Sequence, residues 1–106
     1  MKILFIGDIV GKVGRTTIKG LLPNIVDRYK IDFVIANGEN IAGGFGVTDK
    51  TAGEILNCGV HVITTGNHIW DKKDSIPYII KEDRILRPLN YPPGVPGCGS
   101  AVHALS

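Results

Sequence analysis

The sequence contains few cysteines and no long apolar run, and both scarcities limit what the protein can be. Only Cys58 and Cys98 occur among 106 residues. They lack the CxxC spacing of zinc and redox sites, so we predict free thiols rather than a disulfide. The N-terminal apolar run is interrupted at Asp8, which is too early for a signal peptide or a membrane span. A cytoplasmic protein without a membrane partner is therefore expected.

Neither sign of charge is in large excess. The chain has 12 Lys and Arg against 10 Asp and Glu, a formal net charge of +2. These charges are scattered, so the sequence shows no basic face that would follow a nucleic-acid backbone. We expect no structural nucleic-acid partner. The balance of 43% hydrophobic and 21% charged residues is that of an ordinary globular domain.

Apolar runs bounded by glycine alternate with segments of helical periodicity. The predicted strands are Lys2–Ile6, Phe33–Ala36, Val60–Thr64 and Ile85–Leu86. The predicted helices are Thr16–Tyr29, Thr48–Asn57 and Lys72–Ile80, with a kink or an early first turn at Pro23 in the first and a cap at Thr48 or Asp49 in the second. This alternation predicts an α/β fold with a mainly parallel sheet, right-handed crossovers and flanking helices.

The C-terminal part of the chain has a different character. Residues 88–99 are rich in proline and glycine and are predicted to be irregular, whereas Ser100–His103 resembles the start of a strand. A sheet of three or four strands would have little covering on one face. The chain is therefore expected to be a single incomplete domain over residues 1–106, with exposed apolar surface that favours a homo-oligomer.

Each of the first three predicted strands is followed by glycine and then by a polar side chain. The three strand tips are Gly7-Asp8, Gly38-Glu39-Asn40 and Gly66-Asn67-His68. The carboxyl ends of parallel strands lie at one edge of the sheet, and ligands of open α/β sheets bind there. Asp8, Glu39, Asn40, Asn67 and His68 are therefore predicted to converge on one site.

The chemistry of these side chains suits divalent cations. Carboxylate and amide oxygens favour Mn, Mg or Fe, and the two oxygens of Glu39 can bridge a pair of ions. Two ions about 3.5 to 4 Å apart can activate water and hold a phosphate group. An imidazole beside them, such as that of His68, can protonate the leaving oxygen.

Each of these residues also has a purely structural interpretation. Asp8 could cap the following helix, and Asn40 and Asn67 could be turn residues in the left-handed region. His68 could be an ordinary loop histidine. The equivalent placement of these residues in successive βα units favours a shared site over separate structural roles.

Four further residues near the predicted strands have expected roles. His61 should lie at the opposite edge of the sheet and His103 in the terminal strand, so both are predicted to be structural or exposed rather than ligands. Trp70 and Asp71 are expected to shape the wall of the site, with Asp71 also a candidate cap for the helix that starts at Lys72.

Known phosphate-binding loops do not match the first strand tip. Residues 7–14 read GDIVGKVG, which lacks the GxGxxG order of dinucleotide-binding loops. Val13 follows Lys12 where a P-loop requires Ser or Thr. Both kinds of loop are excluded as specific matches.

Four segments resemble one enzyme family. They are KILFIGDIVGKVGR, DFVIANGENIAGGFGVT, TTGNHIWD and RPLNYPPGVPGCGSA, and together they extend the resemblance to about Ala101. Gly-Asn-His alone is common to the calcineurin-like metallophosphoesterases. The combination of GDIVG, NGEN-x-AGG-x-G and GNHIWD is much more specific, and by it the chain resembles the YmdB-like metallophosphoesterases, as an N-terminal part.

The resemblance implies half of an αββα sandwich and a phosphodiesterase that hydrolyses cyclic nucleotides such as 2′,3′-cyclic AMP by a dinuclear-metal mechanism. It implies that Asp8 and Asn40 bind one metal, Glu39 bridges both and Asn67 binds the second, with His68 as general acid. The expected metals are Fe or Mn, with Mg as a third candidate.

The same resemblance raises one difficulty. Family members are considerably longer, and their later half supplies three more metal-binding histidines. We therefore expect a truncated, fragmentary or frameshifted product that is inactive in this form, with residues 102–106 fitting the family poorly. The alternative function is a non-catalytic nucleotide-binding or regulatory remnant of the fold.

Overall fold

The computed structural model describes residues 1–104. Its strands are β1 (Ile3–Ile6), β2 (Phe33–Asn37), β3 (Val62–Thr64) and β4 (Ile85–Leu86). Its helices are α1 (Gly11–Tyr29), α2 (Asp49–Asn57) and α3 (Ile76–Lys81), and a short 3₁₀ turn at Lys73–Ser75 precedes α3. The strands are all parallel and lie in the order β1-β2-β3-β4. The predicted α/β fold with a parallel sheet and flanking helices is confirmed.

One face of the sheet carries the hydrophobic core. Val34 of β2, Ile63 of β3 and Ile85 of β4 are almost completely buried, together with helix residues Leu22 and Ile55. Neighbouring strands that follow one another in sequence, joined by crossovers of one hand, bring their helices to the same side of the sheet. This layer buries the core-facing side chains of β2, β3 and β4 and partly buries Leu4 and Ile6 of β1.

The other face of the sheet is apolar and is most exposed along β1, whereas Val62 of β3 is buried; we call it the open face. Its side chains are Ile3, Phe5, Phe33, Ile35, Val62 and Leu86. Phe5 is 60% exposed and Ile3 53% exposed, whereas their neighbours along β1, Leu4 and Ile6, pack against the core. A strand alternates its side chains between faces, so the exposure belongs to one face rather than to a frayed end.

Helix α1 starts at Gly11, five residues before the predicted Thr16. Its first turn packs closely on the buried Ile9, because a Cβ at Gly14 would lie 2.9 Å from the Ile9 side chain. Pro23 lies inside the continuous helix. In α2 the predicted cap is confirmed, since the side chain of Thr48 accepts a hydrogen bond from the Thr51 amide.

One predicted helix differs in type at its start, and one predicted strand is not formed. The segment after residue 72 begins as a 3₁₀ turn and becomes α-helical at Ile76, since Pro77 has no N–H and belongs in a first turn. The predicted strand at Ser100–His103 is not formed. The chain forms one bridge to β4, between Cys98 and Leu86, but the pairing does not continue into residues 100–103, and the Val102 side chain is fully exposed. Leu105 and Ser106 lie outside the described residues.

Cys58 and Cys98 are both free thiols, as expected. In residues 1–104 no helix has both the length and the apolar content needed to cross a lipid bilayer.

Candidate active site

The strand register brings the three tips to one edge of the sheet. Ile6 pairs with Ala36, and Asn37 pairs with Thr64. Backbone hydrogen bonds continue beyond the strands: the Ile9 amide donates to the Asn37 carbonyl over 3.1 Å, and the Gly38 amide donates to the Thr64 carbonyl over 2.8 Å. The loops that carry the polar side chains are therefore fixed to one another.

Asp8 and Asn40 are in direct contact across the first two tips. Nδ2 of Asn40 donates to both Oδ1 and Oδ2 of Asp8, each over 3.1 Å. Asp8 does not cap α1, because the cap position is Val10 and no side chain bonds to that helix end. The capping interpretation of Asp8 is thus wrong, and its carboxylate is turned towards the second tip.

Glu39 connects the second tip to the third. Its Oε2 accepts a hydrogen bond from the His68 amide over 3.3 Å, while its own amide donates to Oδ1 of Asn37 over 3.4 Å. A Cβ at Gly66 would lie 2.6 Å from both carboxylate oxygens. Glycine at residue 66 therefore leaves the space that the Glu39 carboxylate occupies.

His68 is paired with Asp71 rather than exposed as an isolated loop histidine. Its Nδ1 lies 2.6 Å from Oδ2 of Asp71, and the two side chains are 42% and 34% exposed. Asp71 does not cap the following helical segment, whose cap position is Lys72. The expectation that Asp71 is a helix cap was wrong, because its carboxylate is used by the imidazole.

Asn67 is the most loosely placed of the predicted site residues. It lies at the third tip with an exposed side chain. In residues 1–104 the only residue other than glycine with a positive φ is Lys30. Asn40 and Asn67 both lie in turns, as proposed, but neither is in the left-handed region.

The donor chemistry at this edge fits a divalent cation, but the donor set is small. Asp8, Glu39, Asn40 and Asn67 supply carboxylate and amide oxygens, the ligands that hard cations prefer. Within residues 1–104, however, no three His, Cys, Asp or Glu side chains lie close enough to hold a metal ion. The side chains at this edge therefore do not form a complete metal site within the described residues.

Both remaining histidines have structural contacts away from this edge. Nδ1 of His61 accepts a hydrogen bond from the Val34 amide over 2.9 Å, and its ring stacks on Phe33 at a centroid distance of 4.8 Å. The ring of His103 lies 6.2 Å from the same Phe33 ring. The prediction that neither belongs to the site is consistent with these contacts.

Sequence reasoning missed two relationships at the site. One is the steric role of Gly66 against Glu39, which joins residues far apart in sequence and leaves no local signal. The other is the pairing of Asp71 with His68, which the three-residue spacing in GNHIWD could have indicated, since residues three apart in a tight turn share one side.

Comparison with known protein families identifies the family of this chain. The sequence profile of the YmdB-like proteins matches residues 4–106. The chain belongs to the YmdB-like protein family. The match includes residues 102–106, so the expectation that the resemblance ends near Ala101 was wrong.

Named relatives of this YmdB-like chain include a phosphodiesterase and a phosphatase. It is 46% identical over 99 residues to the 2′,3′-cyclic-nucleotide 2′-phosphodiesterase of Bacillus subtilis (strain 168), covering 93% of this chain and 38% of the relative. A crystal structure of a phosphatase from Mycoplasma pneumoniae aligns with a TM-score of 0.92 and 35% identity, covering all of this chain and 39% of that one. The family is thus one of phosphoesterase enzymes.

A third relative agrees in fold and in length. The crystal structure of a hypothetical protein from Thermus thermophilus aligns with a TM-score of 0.85 and 43% identity, over 93% of this chain and 38% of that one. The YmdB-like chain therefore spans well under half the length of these relatives.

Proposed function

We propose that this chain is the N-terminal part of a metal-dependent phosphodiesterase that hydrolyses 2′,3′-cyclic nucleotides with two divalent ions. The observation that carries the proposal is the position of the Glu39 carboxylate. It reaches from the second strand tip into the space beside Gly66 and accepts the His68 amide. The name of the Bacillus subtilis relative supports the substrate class.

The oxygen ligands divide into two groups around Glu39. Asp8 and Asn40, already in contact at 3.1 Å, would hold one ion, and Asn67 would hold the other. Glu39 would bridge them with its two oxygens. Bound ions would supply positive charge against the phosphate oxygens and favour ionisation of a water molecule. Mn or Fe suits these donors, and Mg is the third candidate.

His68 would act as the proton donor. When water attacks phosphorus and the bond to the leaving oxygen breaks, the electron pair stays on that oxygen. A proton from the imidazole then neutralises it. The His68 side chain is 42% exposed, so a substrate at the strand tips can reach the ring.

The open face supports the incomplete-domain interpretation of residues 1–106. An apolar sheet face with a 60% exposed Phe5 is what remains when a second layer is not included. We propose that the part of the family not covered by this chain forms that second layer, completing an αββα sandwich, and adds the missing metal ligands. The chain alone would then bind Mn weakly and show negligible hydrolysis.

A non-catalytic nucleotide-binding or regulatory module is the second candidate. The absence of a group of three metal-binding His, Cys, Asp or Glu side chains in residues 1–104 favours it. In either case we place the protein in the cytoplasm, with a small phosphodiester or cyclic nucleotide as its ligand rather than a structural nucleic acid.

The test needs a protein of full family length. We define the hybrid as this chain joined to the C-terminal part of the Bacillus subtilis relative that it does not cover. After removal of metals, Mn should restore hydrolysis of 2′,3′-cyclic AMP by the hybrid to about 1 per second or faster. Nucleotide binding without turnover would favour the module. Enzyme-like turnover by residues 1–106 alone would contradict the incomplete site.

A further inference from the structure

We propose that Asp71 is a positioning residue that holds the His68 ring with Nδ1 bound and Nε2 directed at the leaving oxygen. The inference rests on the proposed function, in which His68 gives up a proton. It assigns a role to the last residue of the GNHIWD segment. The 2.6 Å separation of His68 Nδ1 and Asp71 Oδ2 is the observation that carries it.

The backbone between the two residues is held in place. The Ile69 amide donates to the Gly66 carbonyl over 3.2 Å, and the Asp71 amide donates to the His68 carbonyl over 3.1 Å. Ile69 itself is fully buried in the core. The His68–Asp71 pair thus rests on an anchored turn, unlike a surface ion pair between two mobile side chains.

A second element fixes Asp71 from the other side. A Cβ at Gly46 would lie 3.3 Å from Cβ of Asp71 and 2.8 Å from Cγ of Lys72. Nζ of Lys72 also lies 3.9 Å from the centroid of the Phe45 ring. The loop after the second strand tip therefore packs directly on Asp71 and on its neighbour Lys72.

This geometry determines which nitrogen is free to act. A carboxylate only accepts hydrogen bonds, so Nδ1 of His68 must carry its hydrogen towards Asp71. The proton passed to the leaving oxygen then comes from Nε2, and the neutral ring keeps the Nδ1 hydrogen. Without the carboxylate the ring can rotate and exchange tautomers. Loss of a comparable orienting partner lowers activity by about 10- to 100-fold.

The kinetic test is a double-mutant cycle in the hybrid. Asp71→Asn should lower kcat for 2′,3′-cyclic AMP by about 10- to 100-fold with little change in KM. For bis-p-nitrophenyl phosphate the loss should be small, since p-nitrophenolate departs without protonation. Adding Asp71→Asn to His68→Ala should cause no further loss. The matched control, Asp74→Asn, removes an exposed carboxylate three residues away and should leave both rates unchanged.

The spectroscopic test is made on the 106-residue chain and does not depend on turnover. Ring ¹⁵N shifts should show His68 in the Nδ1–H tautomer, and Asp71→Asn should convert it to a mixture. Two results would overturn the role of Asp71. One is a double mutant in which the kcat losses of Asp71→Asn and His68→Ala multiply, and the other is a His68 tautomer that is unchanged in Asp71→Asn. If His68→Ala retained full turnover while the tautomer still followed Asp71, the pairing would stand and His68 as proton donor would fail.

Discussion

Glu39 and Gly66 are matched across two strand tips: a Cβ on residue 66 would lie 2.6 Å from each carboxylate oxygen of Glu39. Gly66→Ala should therefore displace the carboxylate and weaken Mn binding by the hybrid about 10- to 100-fold. Gly7→Ala is the matched control, because a Cβ at that strand-end glycine meets nothing within 4 Å. Isothermal titration calorimetry measures the Mn affinity of both variants. Equal affinity for the two variants would show that Glu39 does not hold metal in this position.

The role of His68 predicts a loss of turnover without a loss of metal. In the hybrid, His68→Ala should lower kcat for 2′,3′-cyclic AMP by about 10² to 10⁴, because the leaving oxygen loses its proton donor. Metal content, measured by atomic emission, should stay nearly intact. Full turnover in this variant would remove His68 from the mechanism.

The open face predicts that Phe5→Lys has opposite effects in the 106-residue chain and in the hybrid. Phe5→Lys should reduce self-association of the 106-residue chain in sedimentation experiments, because it places a charge on exposed apolar surface. In the hybrid the same change should destabilise the fold by about 3 kcal/mol or more, since the proposed second layer would bury that position. Val13→Lys is the control, at an 80% exposed residue of α1. It should change neither the self-association of the 106-residue chain nor the stability of the hybrid. A harmless Phe5→Lys in the hybrid would mean that this face stays uncovered.

The ion pair between Arg15 of α1 and Glu54 of α2 predicts that folding stability falls at acid pH. Partial burial raises the pKa of the Glu54 carboxyl, but the hydrogen bond from Arg15 and the charges of Lys19 and Arg15 outweigh it, so the pKa is lowered. Nε of Arg15 lies 2.7 Å from Oε2 of Glu54. The stabilisation is present above the unfolded-state pKa, about 4.3, and is lost as pH falls through the lower folded-state pKa.

Glu54→Gln should therefore lower the urea midpoint of the hybrid at neutral pH, and the difference from the unsubstituted protein should disappear as the pH falls through the lowered pKa of Glu54. Asp27→Asn is the control, because within residues 1–104 Asp27 pairs only with Lys30 three residues away, both side chains being more than three-quarters exposed. A difference for Glu54→Gln that grew on acidification would contradict the sign of the pKa shift.

Local signals in the sequence were sufficient to predict the strand tips. Each tip combines an apolar run with glycine and a polar side chain, and a parallel sheet brings such ends together without further information. The cap of α2 was equally local, since Thr48 lies directly before the helix. Asp8, Glu39, Asn40, Asn67 and His68 could therefore be named in advance, although their metal roles stay a prediction.

What the sequence did not reveal depends on contacts between distant residues. The early start of α1 reflects the close approach of Gly14 to Ile9, which no hydrophobic periodicity records. The strand predicted at residues 100–103 is not formed, because the pairing with β4 stops at the single bridge between Leu86 and Cys98. The fit of Glu39 beside Gly66 joins residues 27 apart in sequence and follows only from the packing of β2 against β3.

Glu39 is proposed to bridge two ions at the strand tips, and the number of bound metal ions per chain tests this bridge. Equilibrium dialysis of the hybrid against Mn should give two ions per chain. Glu39→Gln should give one or none and no hydrolysis, because an amide cannot offer two anionic oxygens to two cations. A Glu39→Gln protein that retained two ions would show that the bridge lies elsewhere.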